Sequence, residues 1–231
     1  MGYDPVSYTH LDVYKRQVLA RLLGPKDFGL VGMVTVFTGV LSLFRDFGLS
    51  SAAIQCATVT DEQISTLFWI NLLVGALLGF LSAAMAPFIA AFYHEPRLLG
   101  VTIALASGFL FNAAGVQHGV LLQRQMRFTA LAVINTVGLI VGTAIAIVGA
   151  MAGYGYWSLV AMALAMPLIT TIGFWLSTGW VPGRPRRRVG IRSMMRFGSI
   201  VTVSYTHLDV YKRQVFRFSR PESLSVTDSY Y

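Results

Sequence analysis

The sequence predicts an all-α protein, a polytopic membrane helix bundle with five complete transmembrane helices and two truncated ones. Three observations carry this. Of the 231 residues, 55% are AVILMFWYC and 12% are charged, with a mean hydropathy of +0.63, whereas soluble globular domains carry about 25% charged residues. The excess is concentrated, because between Ile64 and Trp180 the only charged residues are Glu95, Arg97, Arg124 and Arg127. The apolar runs also have the length a bilayer imposes, about 20 residues with a range of about 17–25. Helices of a soluble bundle need polar faces, and these runs have none.

In chain order, VLARLL (18–23) reads as the end of a first span whose start is missing. FGLVGMVTVFTGVLSLF (28–44) follows at the short end of the range. The run 65–93 is long enough to span while tilted or kinked at Pro87. Residues 98–116, 128–153 and 156–180 supply three more spans, the last containing Pro167, and FGSIVTV (197–203) begins a seventh. Thr60 is a candidate N-cap for the 65–93 span, with Asp61 and Glu62 its acidic first turn. The pairs Gly75/Gly79, Gly138/Gly142 and Gly149/Gly153 have the spacing that lets membrane helices approach closely, which reads as generic packing.

The peptide VSYTHLDVYKRQV occupies Val6–Val18 and returns letter for letter at Val203–Val215. Stacked folding repeats recur at short periods in three or more copies, and their sequences drift. This string back-translates instead into a DNA palindrome centred within the codon of Leu11. Extended outward, the palindrome requires NCT for the preceding residue, which Pro5 and Thr202 both allow. It resembles two transposon-end sequencing adapters joined head to head. Residues 1–17 and 203–214 are therefore excluded from fold reasoning as assembly-derived. That leaves 18–202 as a partial transmembrane lobe and 215–231 as an unexplained polar tail. His10, Asp12, His207 and Asp209 carry no functional weight.

The net charge of +8 does not point to nucleic acid, because the basic residues bunch beside apolar runs. The loop after residue 180 holds Arg184, Arg186, Arg187, Arg188, Arg192 and Arg196, and alternation of the spans brings Arg124 and Arg127 to the same side. The other side receives only Lys26 and Arg97. Lys and Arg in short loops favour the cytoplasm, so the arginine-rich loop is cytoplasmic and GPKD (24–27) and HEPR (94–97) face outward. Met194, Met195 and Phe197 among those arginines suggest an amphipathic Arg184–Arg196 segment resting on anionic membrane lipid.

No HExxH, GxSxG or glycine-rich phosphate loop is present, and the outward loops are short, which argues against an enzyme. Cys56 is the only cysteine, so no intramolecular disulfide framework or clustered zinc site is expected, and no cofactor or metal is implied. The informative charges are Arg21, Arg45 and Asp46. Two readings of the arginines stay open: interfacial side chains snorkelling from helix ends, or cationic lining for an anionic headgroup, whose oxygens a guanidinium binds in pairs. Asn71, Asn112, Asn135, Thr143, Thr170 and Thr171 lie inside spans and either line a path or tie helices together. His94 and His118 read as solvated loop residues.

ARLLGPKDFGLVGMVTVF (20–37), LFRDFGLSSAAIQ (43–55), ISTLFWINLLVG (64–75) and VQHGVLLQRQMRF (116–128) together resemble the Wzx-type lipopolysaccharide biosynthesis flippases of the MOP exporter superfamily. The resemblance covers residues 18–198 or so and implies one lobe of a two-lobed transporter. It implies transport of undecaprenyl-pyrophosphate-linked oligosaccharide across the bacterial cytoplasmic (inner) membrane for O-antigen or exopolysaccharide assembly, with other polysaccharide-assembly proteins as partners. By position it matches Arg21 and Arg45 to cavity arginines of the superfamily's lipid II flippase, hence to a pyrophosphate clamp, with Asp46, Asn71, Asn112 and Asn135 as further cavity lining. The family pattern has a second lobe that this chain lacks, so the chain as given is expected not to flip lipid by itself. The rivals are a small-molecule exporter of the same superfamily, which should place acids mid-span, and a membrane polymerase or ligase, which needs a larger outward loop.

Overall fold

A computed structural model describes residues 18–42 and 60–185. Among these, the regular structure is helical throughout. A short helical turn at 18–22 precedes α1 (Pro25–Ser42), α2 (Asp61–Phe92), α3 (Arg97–Arg124), α4 (Phe128–Met151) and α5 (Tyr156–Thr178). The starts follow local chemistry. Pro25 occupies the first helical position of α1, where its missing N–H costs nothing, and Asp27 reaches back to accept from the Gly24 N–H at 3.1 Å. At α2 the expected Thr60 cap is present as a reciprocal pair: its hydroxyl accepts from the Gln63 N–H at 3.3 Å, and the Gln63 side chain accepts from the Thr60 N–H at 3.1 Å. The end of α5 is set by Gly179, whose φ of 60° suits a residue without a Cβ.

Four helices, α2 to α5, are long and apolar enough to cross a membrane, with mean hydropathies of 2.2, 1.7, 2.3 and 2.0. Four of the five expected complete spans are thus present among the described residues, and the remaining one, 28–44, runs past Ser42, where the description ends. Helix α1 begins on Pro25, Lys26 and Asp27, and residues 43–59 lie outside the description, as do the expected stump at 197–203, the arginines from 186 onward, both adapter-like copies and the tail. The larger difference is in α3. Its apolar run stops near Val116, yet the helix continues to Arg124. Gln117 and His118 are fully buried in it, so His118 is a core residue of a helix and not a solvated loop residue. Packing against neighbouring helices overrides the local polarity there. His94, by contrast, is exposed in the turn between α2 and α3.

Helix α3 is the hub. The most extensive contacts join α2 to α3, α4 to α5 and α3 to α5, and α1 lies across α3 and α5. Two seams are glycine-lined. A Cβ on Gly75 would stand 2.4 Å from the Ala113 Cβ and 2.9 Å from the Phe109 carbonyl oxygen, and one on Gly79 would stand 3.0 Å from the Ala106 oxygen. Gly138 and Gly142 meet Thr170, Met162 and Met166 of α5 in the same way. Of the third pair, Gly149 packs on Ser158 while Gly153 is a turn residue with nothing near it. Leu30, Val34, Ile89, Leu98, Val101 and Val160 form a core where α1, α2, α3 and α5 meet. Leu19 and Leu23 bring the 18–23 segment onto Ala146 and Leu159.

The outer faces are apolar as well. Phe80 is 73% exposed and Leu176 80% exposed, and Leu73, Leu77, Phe88, Ile140 and Val148 are likewise uncovered. Uncovered apolar stripes on every long helix are the surface of a protein whose solvent is hydrocarbon. Residues 24–27, 93–96 and 152–155 gather at one end, where an Asp27 carboxylate oxygen comes within 3.3 Å of the position of a Gly155 Cβ. The α3–α4 turn and the segment after α5 gather at the other, where the Arg127 guanidinium donates to the Ser177 carbonyl at 2.7 Å.

Both helices run unbroken through Pro87 and Pro167. Of the polar side chains expected to line a path or tie helices, Thr171 makes a tie, donating to the Phe111 carbonyl of α3 at 2.8 Å. Trp175 makes a second, from its indole N–H to the Ala114 carbonyl at 2.9 Å. Thr143 and Thr170 donate instead to carbonyls of their own helices, Leu139 and Met166.

Candidate functional site

A groove of about 250 Å3 lies where α1, α3 and α5 meet. Thr35, Thr38 and Ser42 reach it from α1, at a spacing of three and then four residues that puts all three on one helix face. Asn112 enters from α3, and Ala163 of α5 also lines the groove. Pro167 has no N–H to give to the Ala163 carbonyl four residues back, so that oxygen lacks its helical partner. The hydroxyls are already committed as donors. Thr35 donates to Gly32 O at 2.8 Å, Thr38 to Val34 O at 3.2 Å and Ser42 to Gly39 O at 2.6 Å. The Asn112 amide gives one hydrogen to Gly108 O at 2.8 Å.

The expected site residues are distributed around this groove and not gathered in it. Asn112 lines it. Arg21 does not; it is exposed on the 18–22 turn, on the side away from the buried Leu19 and Leu23. Arg45 and Asp46 lie outside the described residues, three and four positions beyond the groove residue Ser42. Asn71 is buried on the α2 face that packs on α3, its Nδ2 without a hydrogen-bond partner. Asn135 is half-buried on α4. Sequence reasoning missed the α1 hydroxyls, although Thr35, Thr38 and Ser42 in an otherwise apolar run carried the signal.

A second cluster closes the far end of the bundle. After Gly179 the chain folds back across α2 and α3. The Gly183 N–H donates to the Ser65 hydroxyl at 3.0 Å, the Trp69 indole donates to the Gly183 carbonyl at 2.9 Å, and His118 Nε2 sits 3.2 Å from the Trp180 carbonyl. Phe68, Trp175 and Trp180 surround the imidazole. A third feature, an apolar groove of about 670 Å3 between α4 and α5, opens on the outer surface beside Tyr154 and Trp157. Among the described residues no three His, Cys, Asp or Glu side chains converge as metal ligands.

Comparison with known proteins places this architecture. A family described as "Polysaccharide biosynthesis protein" matches residues 18–215. The chain is similar to the lipopolysaccharide biosynthesis protein WzxC of Escherichia coli, 23% identical over 198 residues, which cover 83% of this chain and 39% of that protein. It is 37% identical over 101 residues to the teichuronic acid biosynthesis protein TuaB of Bacillus subtilis, covering 44% of this chain and 20% of that one. It is 27% identical over 171 residues to the succinoglycan biosynthesis transport protein ExoT of Rhizobium meliloti, covering 71% and 33%. The chain thus spans well under half the length of these relatives. No solved structure matches it. Taken with four helices fit to cross a bilayer, the match leads to one assignment: the chain is a multi-pass membrane protein belonging to the polysaccharide biosynthesis protein family.

Proposed function

We propose that this chain is one lobe of a flippase that carries an undecaprenyl-pyrophosphate-linked oligosaccharide across the bacterial cytoplasmic membrane. The observation that carries the reading is the family match over residues 18–215, joined by a relative whose name includes transport. The end bearing Arg124, Arg127 and Arg184 faces the cytoplasm by the distribution of charge, and the Arg184–Arg196 segment rests there on anionic lipid. Two such lobes would rock about a central path, as in transporters built from related halves.

In this mechanism no covalent bond changes. Arg21 and Arg45 hold the pyrophosphate by paired guanidinium N–H groups, with Asp46 as further cavity lining. The groove between α1, α3 and α5 supplies neutral polar lining beside that path, with Asn112 as its largest side chain. The test is transport itself. The uninterrupted parent protein, reconstituted into vesicles with a fluorescent undecaprenyl-pyrophosphate oligosaccharide, should expose the sugar to an enzyme added outside. Protein-dependent vesicles that expose no more sugar than empty ones would overturn the reading.

A further inference from the structure

The groove has a definite hydrogen-bonding sense. A threonine or serine hydroxyl has one hydrogen and two lone pairs. Thr35, Thr38 and Ser42 each direct that hydrogen to a carbonyl of α1, so what they can offer the groove is oxygen lone pairs. Asn112 has already given one amide hydrogen to Gly108 O, and retains Oδ1 and a single N–H. The polar side chains of the wall therefore offer four oxygens as acceptors against one donor.

That imbalance selects its ligand. A phosphate or carboxylate presents lone pairs only and would meet lone pairs. A metal cation would find oxygens, but no carboxylate among the described lining residues balances its charge. A neutral sugar ring carries several O–H donors on a small apolar frame. Leu105, Phe109 and Leu164 on the same wall suit its carbon face. At about 250 Å3 the space is below the range of about 300–1,000 Å3 typical of drug-sized pockets, which fits a single ring and not an oligosaccharide.

We infer that the α1–α3–α5 groove is a subsite for one neutral sugar of the lipid-linked chain, held through its hydroxyl hydrogens, and that it rejects acidic sugars at that position. This rests on the flippase reading and goes further, separating where the sugar is held from where the pyrophosphate is held.

The test is binding to the 231-residue chain in nanodiscs. Three probes are compared: bare undecaprenyl pyrophosphate, the same lipid carrying a neutral hexose trisaccharide, and the same lipid carrying a trisaccharide with a uronate in place of each hexose in turn. The wild type is expected to bind the neutral conjugate about ten-fold tighter than the bare lipid, and at least one uronate conjugate no tighter than the bare lipid. Asn112→Leu, or Thr38→Val should Asn112→Leu fail to fold, should erase the gain from the sugar while leaving affinity for the bare lipid unchanged. Equal loss for all probes, a sugar gain that survives both substitutions, or equal binding of every uronate conjugate overturns the subsite while leaving the flippase reading standing. Binding of no probe by the wild type also overturns the subsite, while the flippase reading is decided by transport in the parent protein. A melting temperature raised by sodium in the wild type and not in Asn112→Leu would instead make the groove a cation site and overturn the sugar assignment.

Discussion

The imidazole of His118 stacks on the indole of Trp175, with ring centroids 4.3 Å apart and planes 21° from parallel. Trp180 meets the same imidazole edge-on at 5.3 Å, and its carbonyl lies 3.2 Å from Nε2. These contacts join α3, α5 and the strap of chain that follows α5, and with the Ser65 and Trp69 bonds to Gly183 they fix the strap as far as Gly183. Ser65→Ala removes the hydroxyl that accepts the Gly183 N–H, and Trp180→Ala removes the ring and its edge contacts. Both variants should cut faster with protease within residues 179–185, with Trp180→Ala the faster. Helix content by circular dichroism should be unchanged. Cleavage at wild-type rates in both would mean that the strap is not held by these contacts.

The glycine seam between α2 and α3 predicts a steep dependence on one atom. Gly75→Ala places a methyl 2.4 Å from the Ala113 Cβ and 2.9 Å from a backbone oxygen. The helices must separate, at a cost of about 1–3 kcal/mol by analogy with overpacked cores. Gly32→Ala, with nothing within 4 Å, should be neutral within about 0.5 kcal/mol. The measurement is reversible unfolding in mixed detergent, and equal stability of the two variants would contradict the close approach.

Thr171 and Thr143 separate an interhelical bond from a local one. Thr171→Val removes a hydroxyl bonded to Phe111 of another helix and should cost about 0.6–1.7 kcal/mol, the range for such bonds in membrane proteins. Thr143→Val removes one bonded only to Leu139 of its own helix, and should cost less than half as much in the same unfolding experiment.

Buried amides without partners give a prediction of opposite sign. Gln117 is fully buried with neither Nε2 nor Oε1 hydrogen-bonded, and Asn71 Nδ2 is in the same condition. An unsatisfied buried polar group costs about 1–3 kcal/mol. Gln117→Met, close in volume, should therefore raise the melting temperature, and Asn71→Leu should at least preserve it. A marked fall in both would show that these amides have partners in the membrane.

The arginines make the prediction that bears on transport. In the uninterrupted parent, Arg21→Ala or Arg45→Ala should reduce surface polysaccharide by about ten-fold or more at unchanged protein level, since a hydrogen bond to a charged group contributes about 1.5–3 kcal/mol. Lysine at either position should restore only part of the output if the grip is bidentate. Full polysaccharide in both alanine variants would return these side chains to the role of interfacial snorkellers.

What the sequence determined by itself was the solvent and, among the described residues, the four helices that can cross it. Mean hydropathy and the near absence of charge between Ile64 and Trp180 are local quantities, and a bilayer acts on them locally, span by span. The Thr60 cap was legible for the same reason, because its partners lie within one turn. The tertiary structure alone decided which polar residues matter together. His118 looked like a loop residue because its immediate neighbours are polar, yet it is buried by Phe68, Trp175 and Trp180 from three other segments. Thr35, Thr38 and Asn112 come together only because α1 lies across α3 and α5. Distance across a helix interface depends on packing angle and register, which no single helix encodes.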